Sequence, residues 1–397
     1  MSGLNQRHRP GCCRIVLTAA LTALAGPAAA FDYQLHGFAA QGYSLSDGDN
    51  YYGDSRHGSA NFYELGVNGT LALRPDLLVS AQGLMRRAGQ TDTEGLRLDF
   101  AQIDYRFLAT ADSNAGLRLG RVRKPYGLFN DTRDVVFTRP GITLPDAVYL
   151  EALGLRSLLF SGDGGQLYAS HSFGEHVLSL SANYDLEHGL NQKQKRQLLG
   201  GRDLPNEVRL GSFYAAQLLD EWNGGRLKFA ATYLHASFTL LPRPDSPLEG
   251  YQDFAVWVAS AQYNAERLTL TGEYFLDYAK GVTNYASPTN TSSDGFYLQA
   301  AWQLVPRWTL LTRYSASFAN RHDRDGRDYA ERTGKDRYRR FGHDETIGLK
   351  WLPTEHWGLW TELHLIQGSN SAPDLDNEGR ALNRHTVLLQ FMAAYRF

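Results

Sequence analysis

The sequence predicts an all-β chain: a transmembrane, antiparallel, up-and-down β-barrel of about sixteen strands, with one long connection folded inward between strands 5 and 6. Three observations carry this. The C-terminal segment places Val387, Leu389, Phe391, Ala393, Tyr395 and Phe397 on one apolar stripe at period two, with Thr386, Gln390 and Arg396 on the other face. Short and long connections alternate along the whole chain. Five of the seven tryptophans, Trp222, Trp302, Trp308, Trp351 and Trp357, flank the short connections, as an aromatic belt at one membrane interface would.

The N-terminus reads as a secretory leader. Arg7, Arg9 and Arg14 precede an apolar stretch at 15–25, and Ala28, Ala29 and Ala30 offer small residues for cleavage before Phe31. This divides the chain into a signal peptide, 1–30, and a barrel, 31–397. Both cysteines, Cys12 and Cys13, lie in the leader, so neither a disulfide nor a thiolate metal site is expected in the mature chain. Beyond the leader no run of about 18 apolar residues exists, so a spanning helix is excluded and only a closed barrel could cross a bilayer. The formal charge is -2, and loss of the three leader arginines makes it about -5, which excludes a nucleic-acid partner.

The predicted strands, in order, are 31–44, 61–73, 77–87, 95–108, 115–123, 165–173, 176–187, 207–219, 225–240, 252–264, 267–280, 294–304, 308–320, 340–352, 356–368 and 384–397. Each alternates apolar and polar residues, except that the fourth slips phase near Phe100 and Ala101, the mark of a bulge. Short connections at 74–76, 111–114, 174–175, 220–224, 265–266, 305–307 and 353–355 carry turn residues. The long ones fall at 45–60, 88–94, 124–164, 188–206, 241–251, 281–293, 321–339 and 369–383. Short turns at one end and long loops at the other give periplasmic and external sides.

Alternation separates two faces. In 268–278, Leu268, Leu270, Tyr274, Leu276 and Tyr278 form the lipid face, leaving Thr269, Thr271, Glu273 and Asp277 for the lumen. The same reading turns Ser179, Ser181, Asn183, Asp185, Lys228, Thr232, Gln299, Gln303, Arg313, Ser315, Lys350, Glu362 and His364 inward. The charged lumen candidates are Lys228, Glu273, Asp277, Arg313, Lys350 and Glu362, and a polar lumen implies water.

The connection after strand 5 is long, apolar and aromatic, with Tyr126, Phe129, Val135, Val136, Phe137, Ile142, Leu144 and Tyr149, so burial inside the barrel suits it better than exposure. Its charged residues make Arg121, Arg123, Lys124, Asp131, Arg133, Asp134 and Arg139 the candidates for a pore constriction. Pairing of Arg133 with Asp134, or of Arg139 with Asp131, would instead peg the loop to the wall. From Arg121 to Arg156 the balance leans basic, and basic rings favour anions where they face the lumen.

Two resemblances add to this reading. The terminal Phe397 resembles the closing residue of Gram-negative outer-membrane barrels, where it is part of the assembly signal. The string GRVRKPYGLFNDTRDVVFTRPGITLP, 120–145, resembles the matching segment of proteobacterial porins related to the phosphate-selective porin O and P family. The likeness is close over about 118–150 and otherwise architectural. It implies an outer-membrane, homotrimeric, water-filled channel for small hydrophilic solutes or inorganic anions, in contact with lipid and lipopolysaccharide. Phosphate-selective members line the pore with an arginine ladder and a lysine cluster, whereas the inward positions here mix bases and acids.

Other readings are weaker. His171, Ser172, His176, Asp185 and His188 offer acid–base and nucleophilic groups without a matching catalytic motif, so an outer-membrane phospholipase or protease stands as the alternative. A plugged receptor barrel would need an extra N-terminal domain. Asp323, Asp325 and Asp328 resemble a calcium loop, but Gly326 sits too early for one. The charged stretch 321–340 reads as a solvated loop able to meet lipopolysaccharide phosphates. No cofactor or metal is expected.

Overall fold

The computed structural model describes residues 32–92, 95–151, 156–199 and 204–397. The leader expected at 1–30 lies outside them. Sixteen strands run in order: β1 (Asp32–Ser46), β2 (Ser59–Arg74), β3 (Leu77–Ala88), β4 (Leu96–Ala109), β5 (Ser113–Arg123), β6 (Ser161–Phe173), β7 (His176–Asp185), β8 (Glu207–Trp222), β9 (Leu227–Leu241), β10 (Gly250–Asn264), β11 (Leu268–Thr283), β12 (Ala286–Val305), β13 (Trp308–Phe318), β14 (Phe341–Trp351), β15 (Trp357–Gly368) and β16 (His385–Arg396). Each pairs antiparallel with its neighbours, and the two-residue segment His188–Gly189 extends the ladder beside β8.

Closure comes from β1 pairing with β16, in register from Phe38 opposite Arg396 to Ser46 opposite Leu388. The ladder continues one step further: Gly37 and Phe397 exchange backbone hydrogen bonds of 3.2 and 3.0 Å. A Cβ at Gly37 would collide with the Phe397 ring, so this glycine makes room for the terminal aromatic at the seam. Closure removes every strand edge, which a spanning sheet requires because hydrocarbon offers no hydrogen-bond partner.

Leu119, Leu167, Trp257, Leu298 and Leu365 point outward and stay exposed, while Gln82, Gln166, Glu273, Gln299 and Glu362 on neighbouring positions are buried inside. The turn-end tryptophans form a band: Trp308 and Trp351 are opposite in register and stack at 5.1 Å, and Trp357 leans on Tyr395 at 5.1 Å. The expected slip in β4 is a bulge at Asp99, since Gly83 faces Leu98 and Gln82 faces Phe100. It turns Asp99 and Phe100 inward together.

Two expectations need correction. The stretch 281–293 is not a long loop: β11 and β12 continue as a ribbon, Gly281 opposite Thr289 and Thr283 opposite Ala286, around a turn at Asn284 and Tyr285. Its exposed Thr, Ser and Asn residues have water on both sides and so lack the apolar alternation that marks a strand. Nor is the lumen uniformly polar. Leu210, Phe213, Leu234, Phe238, Val256 and Phe275 turn inward from β8–β11, and Trp360, Leu388 and Met392 from β15 and β16. Most of these side chains are covered by the connection between β5 and β6, while Leu388 packs with Tyr51, Ala372 and Leu382 from the loops on either side of the seam.

Candidate functional site

The connection 124–160 crosses the interior, carrying two single-turn helices, α1 (Asp146–Tyr149) and α2 (Arg156–Leu159). Its first residue is an anchor: Lys124 Nζ meets Asp185 at 2.7 Å, donates to the Leu158 carbonyl at 2.6 Å, and lies 3.3 Å from the Phe213 ring centre. Gly127 then adopts a positive φ of 56°, which aims the next N–H, of Leu128, at Glu273 of β11 at 2.9 Å. Glu273 collects three further donors, the hydroxyls of Tyr149 (2.7 Å), Tyr297 (2.6 Å) and Ser260 (2.6 Å). Four hydrogen bonds satisfy a carboxylate that burial would otherwise disfavour.

The far half of this connection, a strap across the interior, is tied to the opposite wall. Ile142 N–H donates to Glu362 of β15 at 2.6 Å. Arg313 of β13 donates to the Thr143 carbonyl at 3.1 Å, and Lys350 of β14 to the Phe137 carbonyl at 3.1 Å. Phe137 packs edge-on against Trp360 at 5.4 Å. Glu273, Arg313, Lys350 and Glu362 therefore all sit on the inner face against the strap. Asp277 lies on the same face of β11, beyond Glu273, and Lys228 lies nearer the short turns, paired with Glu221 at 2.6 Å.

On the side of β2–β4 the strap enters a network of buried charges. Arg139 binds Glu64 at 2.5 Å, Glu64 also binds Arg86 (2.9 Å), and Arg86 reaches Asp92 (2.8 Å) and Glu151 (3.0 Å). Glu151 holds Arg133 at 2.6 Å, while Arg156 and, at the network's solvent edge, the partly exposed Arg97 meet Asp99 at 2.9 and 3.2 Å. Burying a charge without partners is prohibitive, but each of these has at least one partner and most have two. Glu151 is an instance: burial pushes its carboxyl up, yet the guanidinium groups of Arg133, Arg86 and Arg156 hold it down at about 2.

The constriction candidates consequently divide. Lys124, Arg133, Asp134 and Arg139 are buried and bound within the strap or to the wall. Arg133 pairs with Glu151 rather than Asp134, and Arg139 with Glu64 rather than Asp131, because the nearest carboxylates in space come from other segments. Arg121 is misplaced by the sequence reading: it shares the outward phase of Leu117 and Leu119 and meets Asp163 of β6 at 3.4 Å on the outer face. Arg123 reaches Asp134 at 3.1 Å and the Asp131 carbonyl at 2.8 Å, with its side chain 28% exposed. Asp131, Thr132 and Thr138 are exposed along the strap.

Facing them on the inner wall, Arg118 binds Asp104 (2.9 Å) and Gln166 (2.8 Å) and keeps a side-chain exposure of 32%. Arg118, Arg97, Glu64, Arg86, Asp99 and Glu151 were absent from the sequence candidates. The strand phase could have found Glu64 and Arg118, each a charge between outward apolar residues, but not their partners. The charged side chains that stay partly exposed here are thus Arg97, Arg118, Arg123 and Asp131 rather than the buried set.

The residues considered for catalysis do not assemble. His171 bonds Ser113 at 2.9 Å near the short turns, adjacent Ser172 points to the other face, His176 pairs with Asp220 at 3.1 Å, and Asp185 is held by Lys124. Asp323 accepts the backbone N–H groups of Asp328 (3.2 Å) and Tyr329 (2.9 Å), which starts helix α4 (Arg327–Thr333), following α3 (Gln192–Leu198) in chain order.

No protein-family model and no curated protein sequence matches the chain. Solved structures do. The outer membrane channel DcaP of Acinetobacter baumannii is 14% identical, covering 92% of this chain and 97% of its own, with a TM-score of 0.58. An anion-selective porin from Comamonas acidovorans is 14% identical over 92% of this chain and 100% of its own, TM-score 0.54. OmpT, an outer membrane protein of Vibrio cholerae in trimer form, is 10% identical over 93% and 100%, TM-score 0.55. At such identities the likeness establishes the barrel fold.

Proposed function

We propose that the chain is an outer-membrane porin: a water-filled channel for passive diffusion of small hydrophilic solutes or ions, with a weak preference for anions. The observation that carries this reading is the strap. A closed barrel with an apolar outer band has its lumen crossed at several wall points by one connection, an arrangement that narrows a passage. The preference rests on Arg97, Arg118 and Arg123, which are accessible where Arg133 and Arg139 are not. The link to phosphate-selective porins rests on residues 118–150 alone, and ion pairs occupy most of the basic residues there, so the proposal stops at small anions. Delivery through a cleaved leader at 1–30, residence in the outer membrane against lipid and lipopolysaccharide, and assembly as a homotrimer complete the reading. The leader pattern, the terminal Phe397 and the trimeric form of a structural neighbour support these three.

Planar-bilayer recording tests it. The purified protein should give stepwise ohmic conductance, and replacing residues 130–144 by a short Gly/Ser linker should raise the single-channel value. The double variant Arg118→Gln, Arg123→Gln should move the reversal potential in a salt gradient toward cations. A folded barrel whose conductance is indifferent to loss of the strap would rule out a constriction there.

A further inference from the structure

Between the strap and the inner faces of β8–β12, toward the long-connection end, lies a cavity of about 360 Å³. Its walls are aromatic and aliphatic, with Leu158 from the strap facing Phe213, Leu234, Phe238, Phe254 and Phe275 from the barrel. Gln252 and Thr291, both exposed, stand where it meets solvent. An apolar chamber is the wrong lining for a passage of bare inorganic ions, which would lose hydration there without replacement. Its volume lies in the range of small-molecule sites, where an apolar body is buried and a few polar groups fix its orientation.

One carboxylate supplies that polar group. Asp277 of β11 borders the cavity; its Oδ2 takes only a 3.3 Å hydrogen bond from Ser293, and its Oδ1 is buried with no hydrogen-bond partner among the described residues. The neighbouring charges are already matched: Glu273 by its four donors, Asp294 by Arg324, and Lys124, behind Phe213, by Asp185. An unmatched anion in an aromatic chamber suits a cation carrying an apolar group, since Asp277 would accept from its N–H donors while the phenylalanine faces stabilise the charge.

We propose that this cavity is a solute subsite for small organic cations with an aromatic or branched aliphatic body, of arylalkylamine size, the ammonium on Asp277 and the apolar body among Phe238, Phe254 and Phe275. The subsite goes beyond the channel reading, whose anion preference is set by arginines of β4 and β5, and rests on that reading only for the solute's route in from the long-connection mouth.

The test uses the folded full-length mature barrel in detergent, with 2-phenylethylammonium as probe and phenylacetate and methylammonium as comparisons, followed by titration calorimetry. Saturable binding of 2-phenylethylammonium is expected, with both comparison ions at least about tenfold weaker, because each lacks either the charge or the ring. Asp277→Asn should weaken binding about tenfold, the usual scale of a charge-assisted hydrogen bond. Ala236→Phe, which fills the cavity, should abolish binding while the barrel keeps its heat-resistant gel mobility. No saturable binding, equal binding of phenylacetate, or an Asp277→Asn variant indistinguishable from the parent would overturn the proposal. Bilayer recording separates it from the channel reading: conductance without binding removes the subsite alone, whereas binding in a barrel that never conducts removes the channel and leaves the subsite.

Discussion

Glu151 couples the strap to the wall, and its chemistry sets a pH signature. Its folded carboxyl titrates at about 2 against an ordinary 4.5, because three arginines outweigh burial. A folded value below the unfolded one means that its contribution is complete above about pH 4.5 and lost as pH falls toward 2. The contribution is of order 3 kcal/mol from that difference. Denaturant midpoints of the detergent-solubilised barrel should therefore drop across this window, and Glu151→Gln should flatten the drop while lowering stability at neutral pH. An identical acid profile in the variant would assign the titration to another carboxylate.

At the level of the strand, β11 shows how far alternation reaches. Leu270 is 42% exposed on the outer face and Thr271 is buried inside beside Gln262, as the period-two reading of 268–278 expected. A mid-strand arginine on the lipid face costs roughly 2–4 kcal/mol, whereas one in the lumen can reach water. Leu270→Arg should thus reduce insertion into liposomes, scored by heat-modifiable gel mobility, more than Thr271→Arg; equal losses would invert the faces of β11. The same rule placed Glu273, Arg313, Lys350 and Glu362 inward, because phase decides which side a mid-strand residue takes. Arg121 was placed against that rule: its segment's basic character drew it into the constriction set although its phase is that of Leu117 and Leu119. The rule itself failed across 281–293, where a ribbon with water on both faces leaves no apolar period to detect.

For the molecule as a whole, the alternation of short and long connections predicts an orientation. Cysteines placed at Ser46, Gln194 or Asp325, beside the long connections, should react with a membrane-impermeant thiol reagent on intact cells, and cysteines at Asp112 or Glu355, in short turns, should not. The reverse pattern would turn the barrel over. Strand number, closure by a terminal aromatic strand and the tryptophan band are all determined by the sequence alone, because each follows from a local period or from residues a turn demands. The strap's length and apolar character are equally local, and they already require an interior home. What only the tertiary structure decides is the pairing inside that interior. Arg139 finds Glu64, Arg133 finds Glu151, Ile142 finds Glu362 and Leu158 meets the phenylalanines of β8–β11, all partners remote in sequence or on different walls. A charge or an apolar side chain turned into the lumen shows in its strand's phase. Whether water, an ion pair or another side chain awaits it depends on where a folded connection crosses the barrel, which no local period records.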